Sequence, residues 1–122
     1  MASTKATTAI WSSQTLTAGA GDTTSAVLNL TDGYGGTLNI KLTNGATGPT
    51  LPAQVLIQCS EDNFTEAYDV GDALVGLTGN SAVISWGMIV IPPGTQYLRL
   101  VAGSNTDQNV TVDADFSEVT GV

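Results

Sequence analysis

Histidine is absent from the 122 residues, and cysteine, cations and aromatic side chains are scarce. Each shortage removes a class of chemistry. Without histidine there is no Ser-His-Asp or Cys-His arrangement, and the commonest general base at neutral pH is missing. The usual imidazole ligand of zinc is missing too. Cys59 is the only cysteine, so no intrachain disulfide can form. It falls in the apolar alternation Val55, Ile57, Cys59 and reads as a small buried hydrophobe, with no neighbouring base to activate the thiol. Lys5, Lys41 and Arg99 stand against eleven acids, giving a net charge of −8. Three scattered cations cannot make the basic footprint that releases counterions from phosphate. Nucleic acid and anionic membrane surfaces are therefore not expected partners. The amino terminus has no apolar signal-type core, and no apolar run approaches the roughly 18 residues of a membrane span. The expectation is a protein made in a cytoplasm without a signal peptide.

What is present is a pattern of period two. Leu38, Ile40 and Leu42 alternate with Asn39 and Lys41, and Val110, Val112, Ala114 and Phe116 alternate with Thr111, Asp113, Asp115 and Ser117. Leu98 and Leu100 oppose Tyr97, Arg99 and Val101 in the same way, and Leu28 and Leu30 continue a shorter run. Weaker strand candidates are Ala9 to Ser13, Thr15 to Thr17, Phe64 to Tyr68 and Ala73 to Leu77. Turn signals such as Asp32-Gly33, Asn44-Gly45, Gly48-Pro49 and Pro92-Pro93-Gly94 break the chain at short intervals. No stretch carries a helical stripe. The reading is all-β: a two-sheet antiparallel β-sandwich, jelly-roll or immunoglobulin-like, of about eight strands. Residues 10–122 form its single domain, and residues 1–9 are a polar arm, either disordered or ordered on a neighbour.

Two segments break the alternation. From Ala82 to Ile91, Val83, Ile89 and Ile91 lie on one face while Ile84, Trp86, Met88 and Val90 lie on the other. Val55 to Cys59 does the same more mildly, with Leu56 on the outside. A sandwich strand ordinarily has one wet face. Either the second apolar face is covered by a loop or by the amino-terminal segment, or it meets another subunit. The low-charge, Thr-rich surface favours the second. The candidate partner-binding residues are therefore Trp86 and Met88, with Trp11 and Leu56 behind them.

Other signals resolve into turns and solvated faces. Asp113 and Asp115 share a strand face, as paired glycosidase carboxylates do, but exposed acids on an amphipathic strand explain them. Glu61-Asp62-Asn63 and Asp69-Val-Gly-Asp72 offer oxygen ligands without the regular calcium-loop spacing. Asp32-Gly-Tyr-Gly-Gly36 lacks the Lys-Ser/Thr and helix of a phosphate loop. Neither catalysis nor a cofactor or metal is expected. A sugar platform built on Trp11, Tyr34, Trp86 or Tyr97 is the main small-ligand alternative.

The segments Lys41 to Gln58, Ile91-Pro-Pro-Gly-Thr-Gln-Tyr-Leu-Arg-Leu100 and Gly103-Ser-Asn-Thr-Asp-Gln-Asn-Val-Thr-Val112 resemble stretches of small β-sandwich virion proteins of tailed bacteriophages. The shared element is an apolar strand, a Pro-Pro-Gly turn, a second apolar strand, an Asn-rich turn and a Thr/Val strand. The resemblance implies a capsid decoration or cement protein on the outer surface of the virion. It implies the major capsid protein as partner and a homotrimer as the oligomer. It transfers no individual site residue. A carbohydrate-binding or receptor-adhesion module of a tail, fibre or cell surface is the alternative.

Overall fold

The structure is a computed structural model and describes residues 4–121. All its regular elements are strands: β1 (Thr4–Leu16), β2 (Thr23–Thr24), β3 (Leu28–Asn29), β4 (Gly36–Asn44), β5 (Gln54–Ser60), β6 (Tyr68–Asp69), β7 (Leu74–Val75), β8 (Ile84–Ile91), β9 (Tyr97–Gly103) and β10 (Val110–Gly121). They form two antiparallel sheets. Sheet A runs β1-β10-β4-β8, and sheet B runs β2-β9-β5-β6, with β3 also on β9 and β7 also on β5. If β2 with β3 and β6 with β7 are each taken as one interrupted strand, eight strands remain. All connections then cross between the sheets except the one from β5 to β6. This is the wrapped topology of a jelly roll, and it decides between the two sandwich types that the sequence leaves open.

Alternation places the core. Leu38, Ile40 and Leu42 of β4 and Val110, Val112 and Phe116 of β10 are buried, and so are Val55 and Ile57 of β5 and Leu98 and Leu100 of β9. Their neighbours at odd spacing face outward, as a pleated strand requires. The β10–β4 and β4–β8 ladders run without a register shift, so one row of outward residues crosses three strands.

Loops lock the ends of these strands. Asn44 is buried, and its Nδ2 donates to the carbonyls of Leu77 and Gly79, each at 2.9 Å. The backbone of Gly48 lies so close to Thr78 and Gly79 that no side chain fits there. Asn44 N–H donates to the Val83 carbonyl, which fixes the entry to β8. At the other end Pro92 and Pro93 stop β8, and the Pro92 carbonyl accepts from Thr95 in a tight turn. Across the molecule, Asn105 is buried and its Nδ2 donates to the carbonyls of Leu16 and Gln108 at 2.9 and 2.8 Å, clasping the end of β1.

The amino-terminal segment differs from expectation. Residues 1–3 lie outside the described residues, but Thr4 to Ala9 are not a free arm: they pair with Gly121 to Asp115 of the chain's own β10. Their polar character reflects an edge strand whose side chains face solvent. The backbone of β10 supplies the ladder, so residues 4–9 pair without apolar side chains, and the core residues of β1 come later, at Trp11 and Leu16. The weak candidates Phe64 to Tyr68 and Ala73 to Leu77 shrink to the two-residue strands β6 and β7.

Candidate interaction face

Sheet A has a core face and a solvent face, and the solvent face is built in rows across its strands. One row joins Asp113 of β10, Lys41 of β4 and Trp86 of β8; the next joins Asp115, Asn39 and Met88. Flanking rows place Thr43 beside Ile84 and Thr37 beside Val90. The face thus grades from acidic on β10 through mixed polar on β4 to apolar on β8.

The apolar end is open to solvent. Trp86 is 71% exposed, Met88 75%, Val90 74% and Ile84 43%. β8 is the last strand of its sheet, and no loop or amino-terminal segment of the described residues lies over this side. The exposure of these side chains rules out cover by the described residues. The strand is also at an edge, whereas intrachain cover would suit a central strand. Its other face is ordinary core: Ile91 is buried, Ile89 packs on the core, and Leu74 of β7 fills the space beside Gly87.

Polar groups hold the middle of the face. Lys41 Nζ lies 3.9 Å from Asp113 Oδ2 and 5.4 Å from the centroid of the Trp86 ring. At this exposure each contact contributes on the order of 1 kcal/mol or less. Asp113 Oδ1 also accepts from Ser13 N–H at 2.7 Å, and Asp115 Oδ1 accepts from Asn39 Nδ2 at 3.2 Å. Both carboxylates are therefore engaged by neighbours on the sheet surface. Between β1 and β8 lies a shallow depression of about 330 Å3, lined by Ala9, Ser12, Asn39, Lys41, Trp86, Asp113 and Asp115 among others. One side of the Trp86 ring carries the Lys41 ammonium, and the ring forms one wall of the depression.

Two of the candidates fall elsewhere. Trp11 is only 8% exposed and belongs to the core, so it is not a surface anchor. β1 shifts register on both sides of Trp11, which turns the indole inward over the small Ala114. Leu56 does lie on an outer face, but on that of sheet B, half-buried beside Val101. It cannot join Trp86. The structure brings together Trp86 and Met88, and adds Ile84, Val90 and Lys41. Sequence reasoning found the apolar set on β8, but not Lys41 beside it, because register is not encoded in either strand alone.

Smaller features are local. Asp62 Oδ1 accepts from Glu66 N–H at 3.0 Å and from the Ser60 hydroxyl at 2.8 Å. These bonds, the Glu66 amide first, hold its pKa below the ordinary carboxylate value. Cys59 is half-buried and not fully enclosed, and desolvation raises its thiol pKa against a smaller opposing bond with Thr95. On sheet B, the Arg99 guanidinium stacks 4.1 Å from the Phe64 ring centroid and donates to Gln58 Oε1 at 2.9 Å. Among the described residues, no three His, Cys, Asp or Glu side chains cluster as metal ligands would.

No protein-family model matches the sequence, and no curated protein matches it. Similar solved structures do exist. The SPBc2 prophage-derived protein YomS aligns over 96% of each chain, with a TM-score of 0.51 and 11% identity. A chain of infectious bursal disease virus, Gx strain, aligns over 94% of this protein and 31% of its own length, with a TM-score of 0.53 and 18% identity. A family 16 carbohydrate-binding module aligns over 81% of this chain and 70% of its own, with a TM-score of 0.50 and 12% identity. Likeness at such identity establishes the fold, a two-sheet antiparallel β-sandwich.

Proposed function

We propose that this protein is a structural module of a bacteriophage particle, a capsid decoration protein that docks on the outer surface of the assembled head and bridges its major capsid subunits. The observation that carries this reading is the open row Ile84, Trp86, Met88 and Val90 on a rigid, register-locked strand. Singly exposed hydrophobes are ordinary, but four in one contiguous row are characteristic of a contact surface. The mechanism is mass action. A protein that binds only the assembled shell adds its binding free energy to shell stability, and symmetry multiplies weak individual contacts into avidity. No catalytic step is assigned. The fold shared with a prophage protein and a virus chain is compatible with this reading.

The test is co-sedimentation with empty phage heads, using the wild type and the Trp86→Asp and Met88→Asp variants. The wild type should pellet with heads and raise their melting temperature. Each variant should keep its own unfolding midpoint within about 0.5 kcal/mol, as surface changes do, and lose most head binding. Folded variants that decorate heads as well as the wild type would refute the assignment.

A second reading rests on the depression beside Trp86. An indole next to Lys41, Asn39 and Asp113 combines a flat apolar surface with hydrogen-bonding groups, as a sugar site requires. Under this reading the protein is a carbohydrate-binding or adhesion module. Saccharides that quench tryptophan fluorescence in the wild type, and fail to do so in Trp86→Ala, would favour it. Trp11 remains an internal emitter in both.

A further inference from the structure

We infer that β8 is also a self-pairing edge: a second copy of this chain adds its own β8 antiparallel to the first, joining two four-stranded sheets into one continuous sheet. This goes beyond the shell reading, since it uses the backbone of β8 and leaves its outward side chains available.

The β8 edge is unguarded. Soluble sheets blunt their free edges with charge, proline or bulges. Over its eight residues β8 contains no Asp, Glu, Lys, Arg or Pro, and it keeps register with β4 without a shift. The opposite edge of the same sheet, β1, has Lys5, three register shifts and Ser13 at φ 51°.

The register of β8 suits self-pairing. Asn44 N–H donates to the Val83 carbonyl, so Val83 and every second residue after it direct their backbone groups toward β4. Ile84, Trp86, Met88 and Val90 therefore direct theirs toward the free edge. A two-fold axis through Gly87 then sets Trp86 opposite Met88 of the second copy and Ile84 opposite its Val90. Each is a hydrogen-bonded pair that matches apolar with apolar. A slip by one residue would bring inward-facing and outward-facing side chains together. A slip of two residues also matches apolar with apolar, but only the axial register pairs all four outward residues of β8 among themselves.

The charge distribution permits it too. Each copy carries −8, yet β8 pairing keeps the acids apart. Asp113 and Asp115 stand on β10, two strands from the edge. Five strand spacings, about 24 Å, separate them from those of the second copy, well beyond the roughly 8 Å Debye length at physiological salt. Pairing through β1 would reduce this to about 14 Å. Antiparallel self-pairing is two-fold, so the assembly is a dimer and not the trimer that resemblance suggests.

A strand edge with four flanking side chains lies at the small end of specific interfaces, below about 1,200 Å2 in total. Association should be concentration-dependent, and analytical ultracentrifugation up to about 100 µM, a range suited to weak contacts, should show a monomer–dimer equilibrium. Met88→Pro removes an outward-pointing N–H and no ladder bond within the chain, and Met88→Lys adds a guarding charge. Each should weaken dimerisation by at least about tenfold with the fold retained by circular dichroism. If the proline variant unfolds, the lysine variant and the wild-type mass decide. Register is read by cross-linking in a Cys59→Ser background. An oxidised mixture of Trp86→Cys and Met88→Cys chains should give a mixed disulfide, since opposed Cα atoms lie about 5.5 Å apart. Trp86→Cys alone should not, because its diagonal mate is about 7–8 Å away. A wild type that stays monomeric, a trimer, or self-linking of Trp86→Cys as fast as the mixture overturns the inference. Head binding without a dimer overturns this inference alone; a dimer that ignores heads overturns the shell reading alone.

Discussion

The two edges of sheet A are opposites built from the same sheet. β1 is long and polar on its outer side, broken by register shifts, and anchored by one inward tryptophan. β8 is short and regular, with its tryptophan turned outward. An indole turned inward adds burial and closes the fold at that edge; an indole turned outward leaves apolar area for something outside the chain. Placement relative to the bulge, not residue type, separates stability from recognition here.

Trp11→Ala should have the largest effect. Truncating a buried indole costs about 3–5 kcal/mol, and chemical denaturation should register that loss, whereas Trp86→Ala should move the same midpoint hardly at all. Equal losses at the two positions would erase the distinction. Asp113→Ala comes next. It removes the acceptor of Ser13 N–H and the partner of Lys41, so the β1 bulge loses about 0.5–1.5 kcal/mol, seen as faster amide exchange in β1 with β8 unchanged. Acidification should have the smallest effect on both edges. Asp62 has a folded pKa below its ordinary value of 3.8, so the stability it contributes is complete above that value and is lost as pH falls through the lower, folded pKa. Below pH 3.8 the Ser60–Glu66 loop should open to protease before either edge of sheet A responds.

The two-sheet architecture was legible because Leu38, Ile40, Leu42, Val112 and Phe116 alternate cleanly, and period two admits one interpretation when one face is buried. The double-faced character of Ile84 to Ile91 was equally plain in sequence. Whether it meant a covered central strand or an open edge depended on sheet order, which arises from contacts distant along the chain. Trp11 misled because a bulge changes the side to which a residue points, and bulges leave no reliable composition mark. The polar residues 4–9 read as an arm because a strand paired along one side needs no apolar face of its own. Lys41 over Trp86 was invisible for the same reason as the register.

The Asn105 clasp carries a consequence in time. Its amide nitrogen donates to the Leu16 carbonyl at the end of β1 and to the Gln108 carbonyl in the loop before β10, and water slowly converts asparagine amides to carboxylates. The product would set a negative oxygen against those same carbonyls in a buried place, where an unmatched charge is costly. Old samples should therefore contain a loosened subpopulation that grows with the fraction of Asn105 hydrolysed, measurable by peptide mass alongside the unfolding curve.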